Sequence, residues 1–149
     1  MPTRDAIHDT VVNALLKDGW RITDDPLALK FGGRHVQVDL GAISDEPGVV
    51  GLDRDDLRIA VEIKTFFGPS PVNLLEQAIG RYVIYNFLLE ELDPGRILYL
   101  AIPDTVFAGL FSEALAGLVV ERLPMRLLVI DCELEEVFKW LPAPDIETS

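Results

Sequence analysis

Apolar positions recur at helical spacing near the start of the chain. Ile7, Val11, Ala14 and Leu15 fall on one side of the stretch Asp5 to Asp18, and Gly19 closes it, which predicts an amphipathic helix with a C-terminal glycine. After the turn residues Thr23 to Pro26 the period drops to two. LALKF and RHVQVDLG flank Gly32-Gly33, and Val36, Val38 and Leu40 alternate with His35, Gln37 and Asp39, the pattern of a two-stranded hairpin. Asp45 to Asp56 mixes acids with Pro47, Gly48 and Gly51 and reads as a loop with a short extended piece at Val49-Val50. In the strand RIAVEIKTF that follows, Ile59, Val61 and Ile63 point one way while Glu62 and Lys64 point the other.

Gly68-Pro69-Ser70-Pro71 breaks the chain ahead of a long apolar helix, Val72 to Leu92, which Asp93-Pro94-Gly95 closes. This helix is the candidate for the central buried element. ILYLAIP is a continuous apolar run of strand length, as expected for a strand covered on both faces between parallel neighbours. A shorter helix is predicted from Asp104 towards Leu118, then two strands, RLLVID and EVFKWL, joined by a tight acidic turn. The order is α, three strands, α, strand, α, two strands. It describes one α/β domain over residues 1–141, with 142–149 expected to be a disordered tail. No internal repeat or low-complexity segment interrupts it.

Composition adds limits. With 149 residues, 49% hydrophobic and 26% charged, the chain can bury a core without disulfides or a structural metal. Its longest apolar runs, such as Ile97 to Pro103 and Leu127 to Ile130, are too short for a bilayer, and MPTRDAIHDT has no apolar signal-peptide core. A cytoplasmic location with no membrane association is therefore expected. Cys132 stands alone, excluding an intramolecular disulfide or a cysteine zinc cluster. The formal net charge of -12 excludes a surface that grips nucleic acid as a whole. A DNA enzyme of this charge needs a local basic groove or a basic partner.

The candidate chemistry lies in V38-D39-L40 and V61-E62-I63-K64. They put two carboxylates and an ammonium on adjacent strands, with hydrophobic neighbours to hold them rigidly. Asp39, Glu62 and the main-chain carbonyl of Ile63 form a hard oxygen set suited to Mg²⁺, which keeps several waters and takes one or two carboxylates. Such a metal lowers the pKa of bound water and stabilises charge developing on a phosphate. Lys64 shares the strand face of Glu62 and is placed to orient or deprotonate that water, or to neutralise the pentavalent phosphorane. Taken alone, an E-x-K pair in a strand is common by chance, and a surface ion pair explains it without any function; the order of elements around it is what points to chemistry.

Taken in the order α-β-β-β-α-β, D39…E62-I63-K64 resembles the PD-(D/E)xK restriction-endonuclease-like nucleases; the proline of that name is replaced by Val38. The whole chain resembles the XisH family, the fdxN-element excision controlling factors. That resemblance rests on RDAIHDTVVNALLKDGWRITDDPL, GGRHVQVDLGA, IAVEIKTFFGPS and RILYLAIP, and it reaches nearly to EVFKWLP. It implies a restriction-endonuclease-like mixed β-sheet flanked by helices, a role in programmed excision of a DNA element, and a companion of the XisI family. The implied activity is Mg²⁺- or Mn²⁺-dependent hydrolysis of DNA, with Asp39 and Glu62 on the metal, Lys64 on the water and His8 assisting.

Nucleases of this kind often add a polar ligand from the first helix, where Asp5, His8 and Asp9 are the candidates. His8 is preferred because imidazole binds metal or shuttles protons near neutral pH. On the long helix Gln77, Arg81 and Tyr85 recur every four residues and line one stripe. RecB-like nucleases carry Q-x-x-x-Y there. This chain has Arg81 at the expected Gln position, where it serves either as a phosphate donor or as the ion-pair partner of an acidic neighbour. The rival to the enzyme is a non-catalytic regulatory subunit that keeps the fold and binds an XisI-type partner or a recombinase. A third option is an acidic interaction domain without a DNA role. DNA specificity, oligomeric state and self-association are left open.

Overall fold

A computed structural model of the chain describes residues 4–44 and 57–144. Helix α1, Arg4–Lys17, ends where Gly19 adopts a φ of 92°, the left-handed cap that glycine accepts without strain. Strand β1, Trp20–Asp24, follows where the sequence signalled only the turn at Thr23 to Pro26. It is an edge strand in which Trp20 alone is buried, so its apolar alternation is weak.

Strands β2, Leu27–Phe31, and β3, Arg34–Val38, form the predicted hairpin. Gly32 and Gly33 carry φ values of 56° and 79°, the pair of positive φ angles that a two-residue hairpin turn demands. This hairpin is a sheet of its own. The expected single strand RHVQVDLG divides at Asp39, and β4, Leu40–Ser44, joins the main sheet. Val38 and Leu40, two residues apart, consequently enter opposite cores.

Strand β5 is Arg58–Ile63. Helix α2, Pro71–Leu92, starts at a Ser70 whose hydroxyl accepts the Asn73 N–H at 3.4 Å, with proline in the first turn. Strand β6 is Arg96–Pro103. The helix expected from Asp104 breaks at Gly109 into α3, Asp104–Ala108, a short 3-10 turn, and α4, Ala114–Arg122. Strands β7, Leu127–Asp131, and β8, Glu136–Leu141, complete the order.

The main sheet has six strands in the order β1-β4-β5-β6-β7-β8. β6 lies parallel to β5 and β7, and the other pairings are antiparallel. Burial of β6 from Leu98 to Pro103 follows from cover on both faces. On one face Val11, Ala14 and Leu15 of α1 pack with Leu40, Ile59, Val61 and Tyr99. On the other, α2 buries Leu75, Ala78, Tyr82, Tyr85 and Leu89 with Ala60, Leu98, Leu100 and the inner side of the hairpin.

The sheet curls until side chains of its two edges meet. Trp20 of β1 and Trp140 of β8 have ring centroids 5.5 Å apart, and both indole N–H groups donate to one oxygen of Asp18, each at 3.1 Å. The Tyr99 hydroxyl donates to the Pro142 carbonyl at 2.6 Å, so tertiary contacts continue past Leu141. The rest of the expected tail, 145–149, and the expected loop at 45–56 lie outside the described residues. Among the described residues no helix is long and apolar enough to cross a membrane.

At the end of the sheet away from Ile63, Arg96 bonds Asp93 at 2.9 Å and the Ile59 carbonyl at 3.0 Å, and Arg58 also pairs with Asp93. Gly41 lies beneath this network; a Cβ there would stand 2.7 Å from Arg96 Nη1 and 2.8 Å from Asp24 Oδ2. Arg96 is nearly buried and pinned. Gly41→Ala is therefore expected to lower unfolding free energy by roughly 1–3 kcal/mol. Urea denaturation checks this, and an unchanged midpoint would mean the network shifts freely.

Candidate functional site

The polar centre of the molecule forms where the chain crosses from the hairpin to the main sheet. Glu62, near the end of β5, is the one buried charged side chain among the described residues, at 5% exposure. Alternation places it on the α2 face, two residues beyond Ala60. Asp39 fills the break between β3 and β4. Its N–H donates to Glu62 Oε1 at 3.3 Å, while its own Oδ2 accepts the Ile63 N–H at 2.8 Å. Each segment thus binds a carboxylate of the other, and Asp39 satisfies backbone groups that leave the ladder where the strand divides.

In an extended strand a residue's N–H and C=O face the same neighbour. The Ile63 carbonyl therefore faces the Asp39 side, and the Lys64 N–H turns to the Ala101 carbonyl of β6 at 3.0 Å. Burial pushes the Glu62 acid up to about 7, and the adjacent Asp39 charge pushes the same way against the opposing effect of Arg81. Arg81 of α2 reaches Glu62 Oε2 with Nη1 at 3.3 Å. Tyr85, one turn on, is buried, and its hydroxyl is raised by that burial and then by the Glu62 charge.

Two carboxylates this close, Glu62 buried and Asp39 half-buried, are unfavourable together unless one is protonated or a cation lies near them, as Arg81 does at Glu62. The donor set is two carboxylates with the Ile63 carbonyl nearby. Among the described residues no group of three or more His, Cys, Asp or Glu side chains is placed to hold a metal. Two carboxylates are a hard oxygen set of the kind Mg²⁺ or Mn²⁺ takes, since these ions bind through few protein oxygens, and they lack the His and Cys ligands that zinc prefers.

The structure brings Asp39, Glu62 and Ile63 together, and Lys64, half-buried, follows directly after the end of β5. Lys64 makes no ion pair with either carboxylate; Arg81 holds Glu62 instead. His8 does not join the pair. It projects from α1, which packs on the opposite face of the sheet, and its Nε2 meets Asp25 at 2.8 Å. Asp9 is exposed, and the side chain of Asp5 lies outside those described. Gln77 is exposed on α2. The Cys132 thiol, pushed up to about 11 by burial and then by Asp104, stays protonated near neutral pH.

The sequence stripe of Gln77, Arg81 and Tyr85 pointed at α2. It did not show that the acidic neighbour of Arg81 is Glu62, because that depends on which helix turn faces β5. A family model for XisH protein matches residues 1–138. The chain is 34% identical to a fdxN element excision controlling factor protein from Anabaena variabilis of known crystal structure, over 93% of this chain and 99% of that one, with a TM-score of 0.81. It is 32% identical to an XisH family protein from Nostoc punctiforme, over 92% of this chain and 99% of that one, with a TM-score of 0.79. No curated protein matches it.

Proposed function

The chain belongs to the XisH family, and from that membership we propose that it is a metal-dependent DNA endonuclease of the restriction-endonuclease-like, PD-(D/E)xK superfamily, acting in excision of a DNA element. The observation that carries this reading is the Asp39–Glu62 pair: two interlocked carboxylates, one buried and held well above its ordinary range. The excision role comes from the relative from Anabaena variabilis.

Asp39, Glu62 and the Ile63 carbonyl would hold Mg²⁺ or Mn²⁺, which when bound supplies a water of lowered pKa and positive charge opposite the scissile phosphate. Lys64 orients the attacking water or takes its proton. Arg81, whose side chain is 60% exposed, can turn from Glu62 to a phosphate oxygen, where its planar fork donates two hydrogen bonds. His8, whose Nε2 meets Asp25 at 2.8 Å, is assigned no role in this proposal. A companion of the XisI family belongs to the proposal, and Ile84 and Phe87, exposed at 54% and 60% on α2, support a face covered by protein.

The ion pair between Arg81 and Glu62 favours a second reading. If the guanidinium is the permanent counter-ion of Glu62, the chain is a regulatory subunit that keeps the fold and acts through its partner. Isothermal titration with Mn²⁺ separates the two. Wild type is expected to bind one ion, and Asp39→Ala to bind it weaker by about a hundredfold or more, since even second-shell changes cost about 10–100-fold. Equal heats for the two proteins would remove the metal site and leave the regulatory reading.

A further inference from the structure

The acidic residues are unevenly spread. Thirteen Lys and Arg face 25 Asp and Glu in the chain, yet Pro26 to Val38 contains no acid at all. That segment is the β2–β3 hairpin. Its inner side, Leu27, Leu29 and Val38, is buried against α2 and the sheet, while Lys30, Phe31, Arg34 and His35 are exposed at its free end. Register places Lys30 opposite His35 on one face of the hairpin and Phe31 opposite Arg34 on the other, so Lys30 and Arg34 flank its free end from two sides, with His35 across from Lys30. Among the described residues none of the three ion-pairs with a carboxylate.

The hairpin leads straight into the carboxylate pair, because β3 ends at Val38 and the next residue is Asp39. From Arg34 to Asp39 an extended strand covers roughly 17 Å at about 3.3 Å per residue. That is about five steps of a duplex rising about 3.4 Å each. A strand with one phosphate at the pair would reach the hairpin end within half a helical turn.

We propose that the β2–β3 hairpin is the DNA-docking arm of this protein: Lys30 and Arg34, with His35 beside them, contact backbone phosphates of a duplex whose reacting phosphate lies at Asp39 and Glu62. The partner is chosen by charge complementarity. Unneutralised cations on an otherwise acidic surface match a polyanion, and contacts of this kind fix position without reading sequence. The proposal rests on the DNA reading above and supplies the local basic surface that a net charge of -12 requires.

Fluorescence anisotropy with a labelled duplex tests it, with Ca²⁺ in place of Mg²⁺, comparing wild type with Lys30→Ala/Arg34→Ala across a salt series. Both side chains are exposed, and circular dichroism checks that the variant folds. The double variant is expected to lose about tenfold or more in affinity at low salt. Its slope of log affinity against log salt should fall by about 1.8, since each lost phosphate contact removes about 0.9. Mn²⁺ titration of the same variant should match wild type, because neither residue touches the carboxylates. Unchanged affinity and slope would overturn the docking arm while leaving the metal site standing. Tighter wild-type binding to polyglutamate than to the duplex would overturn the proposal in favour of an acidic protein partner.

Discussion

Raising the pH from about 5 to about 9 is expected to destabilise the metal-free protein by on the order of 3 kcal/mol through Glu62 alone. Its acid moves from 4.5 in the unfolded chain to about 7 in the folded one, and one unit is worth about 1.4 kcal/mol. Because the folded pKa is the higher, the folded state holds the extra proton between these values. The stabilisation is complete below the unfolded value and is lost as pH rises through about 7. Glu62→Gln keeps a neutral acceptor for the Asp39 N–H and should flatten this part of the pH profile. The variant should therefore gain on wild type as the solution becomes alkaline. Mn²⁺ should reverse the alkaline loss in wild type but not in the variant, since a ligand bound only by the folded state stabilises it by mass action. Urea midpoints from acidic to alkaline pH provide the measurement. Parallel profiles for the two proteins would show that Glu62 is an ordinary carboxylate.

Lys64→Ala is expected to reduce DNA cleavage by about 10²–10⁴-fold, the usual contribution of a positioned proton-transfer group, with Mn²⁺ binding retained. Lys64 is outside the proposed set of metal ligands, and it is half-buried with no ion pair to Asp39 or Glu62 to lose. Lys64→Arg should fail to restore the rate, because a guanidinium stays protonated and cannot accept a proton from water. Linear, single-stranded and branched DNA with Mn²⁺ at low salt form the assay. Cleavage by Lys64→Ala at the wild-type rate would move the proton role elsewhere. Intact DNA with wild type, alone and with its companion, would favour the regulatory reading.

The sequence was most legible where one residue type answers to one physical demand. Gly32-Gly33 specifies a two-residue hairpin because few other pairs accept two positive φ angles. ILYLAIP declares β6 because an apolar run of only seven residues, closed off by Asp93-Pro94-Gly95 before it, fits a strand covered on both faces and is too short for a buried helix. Asp39 and Glu62 stood out as acids among buried neighbours, and the structure interlocks them. β1 escaped because an edge strand with a single buried residue hardly alternates. The division of RHVQVDLG at Asp39 escaped for another reason: Val36, Val38 and Leu40 keep the period of two, although Leu40 has turned to the other core. His8 lay on the helix that the pattern predicted, but no pattern tells which sheet face a helix covers. Arg81 was visible as a position in a stripe and became informative only with Glu62 opposite it.

The meeting of the sheet's two edges gives the molecule a built-in optical reporter. Trp20 and Trp140 are the chain's two tryptophans, and their rings lie 5.5 Å apart at 45°. Transitions of rings so close couple, so the tryptophan part of the near-ultraviolet dichroism belongs to a cluster that also holds Tyr99, 4.8 Å from Trp140, rather than to either indole. Emission is equally local, since Asp18 accepts both N–H groups and its charge acts on both excited states. Far-ultraviolet dichroism follows the helices and strands wherever they lie. Tryptophan signals follow a single event, the closure of β1 towards β8 beneath α1, and make it separable in time from the rest of folding.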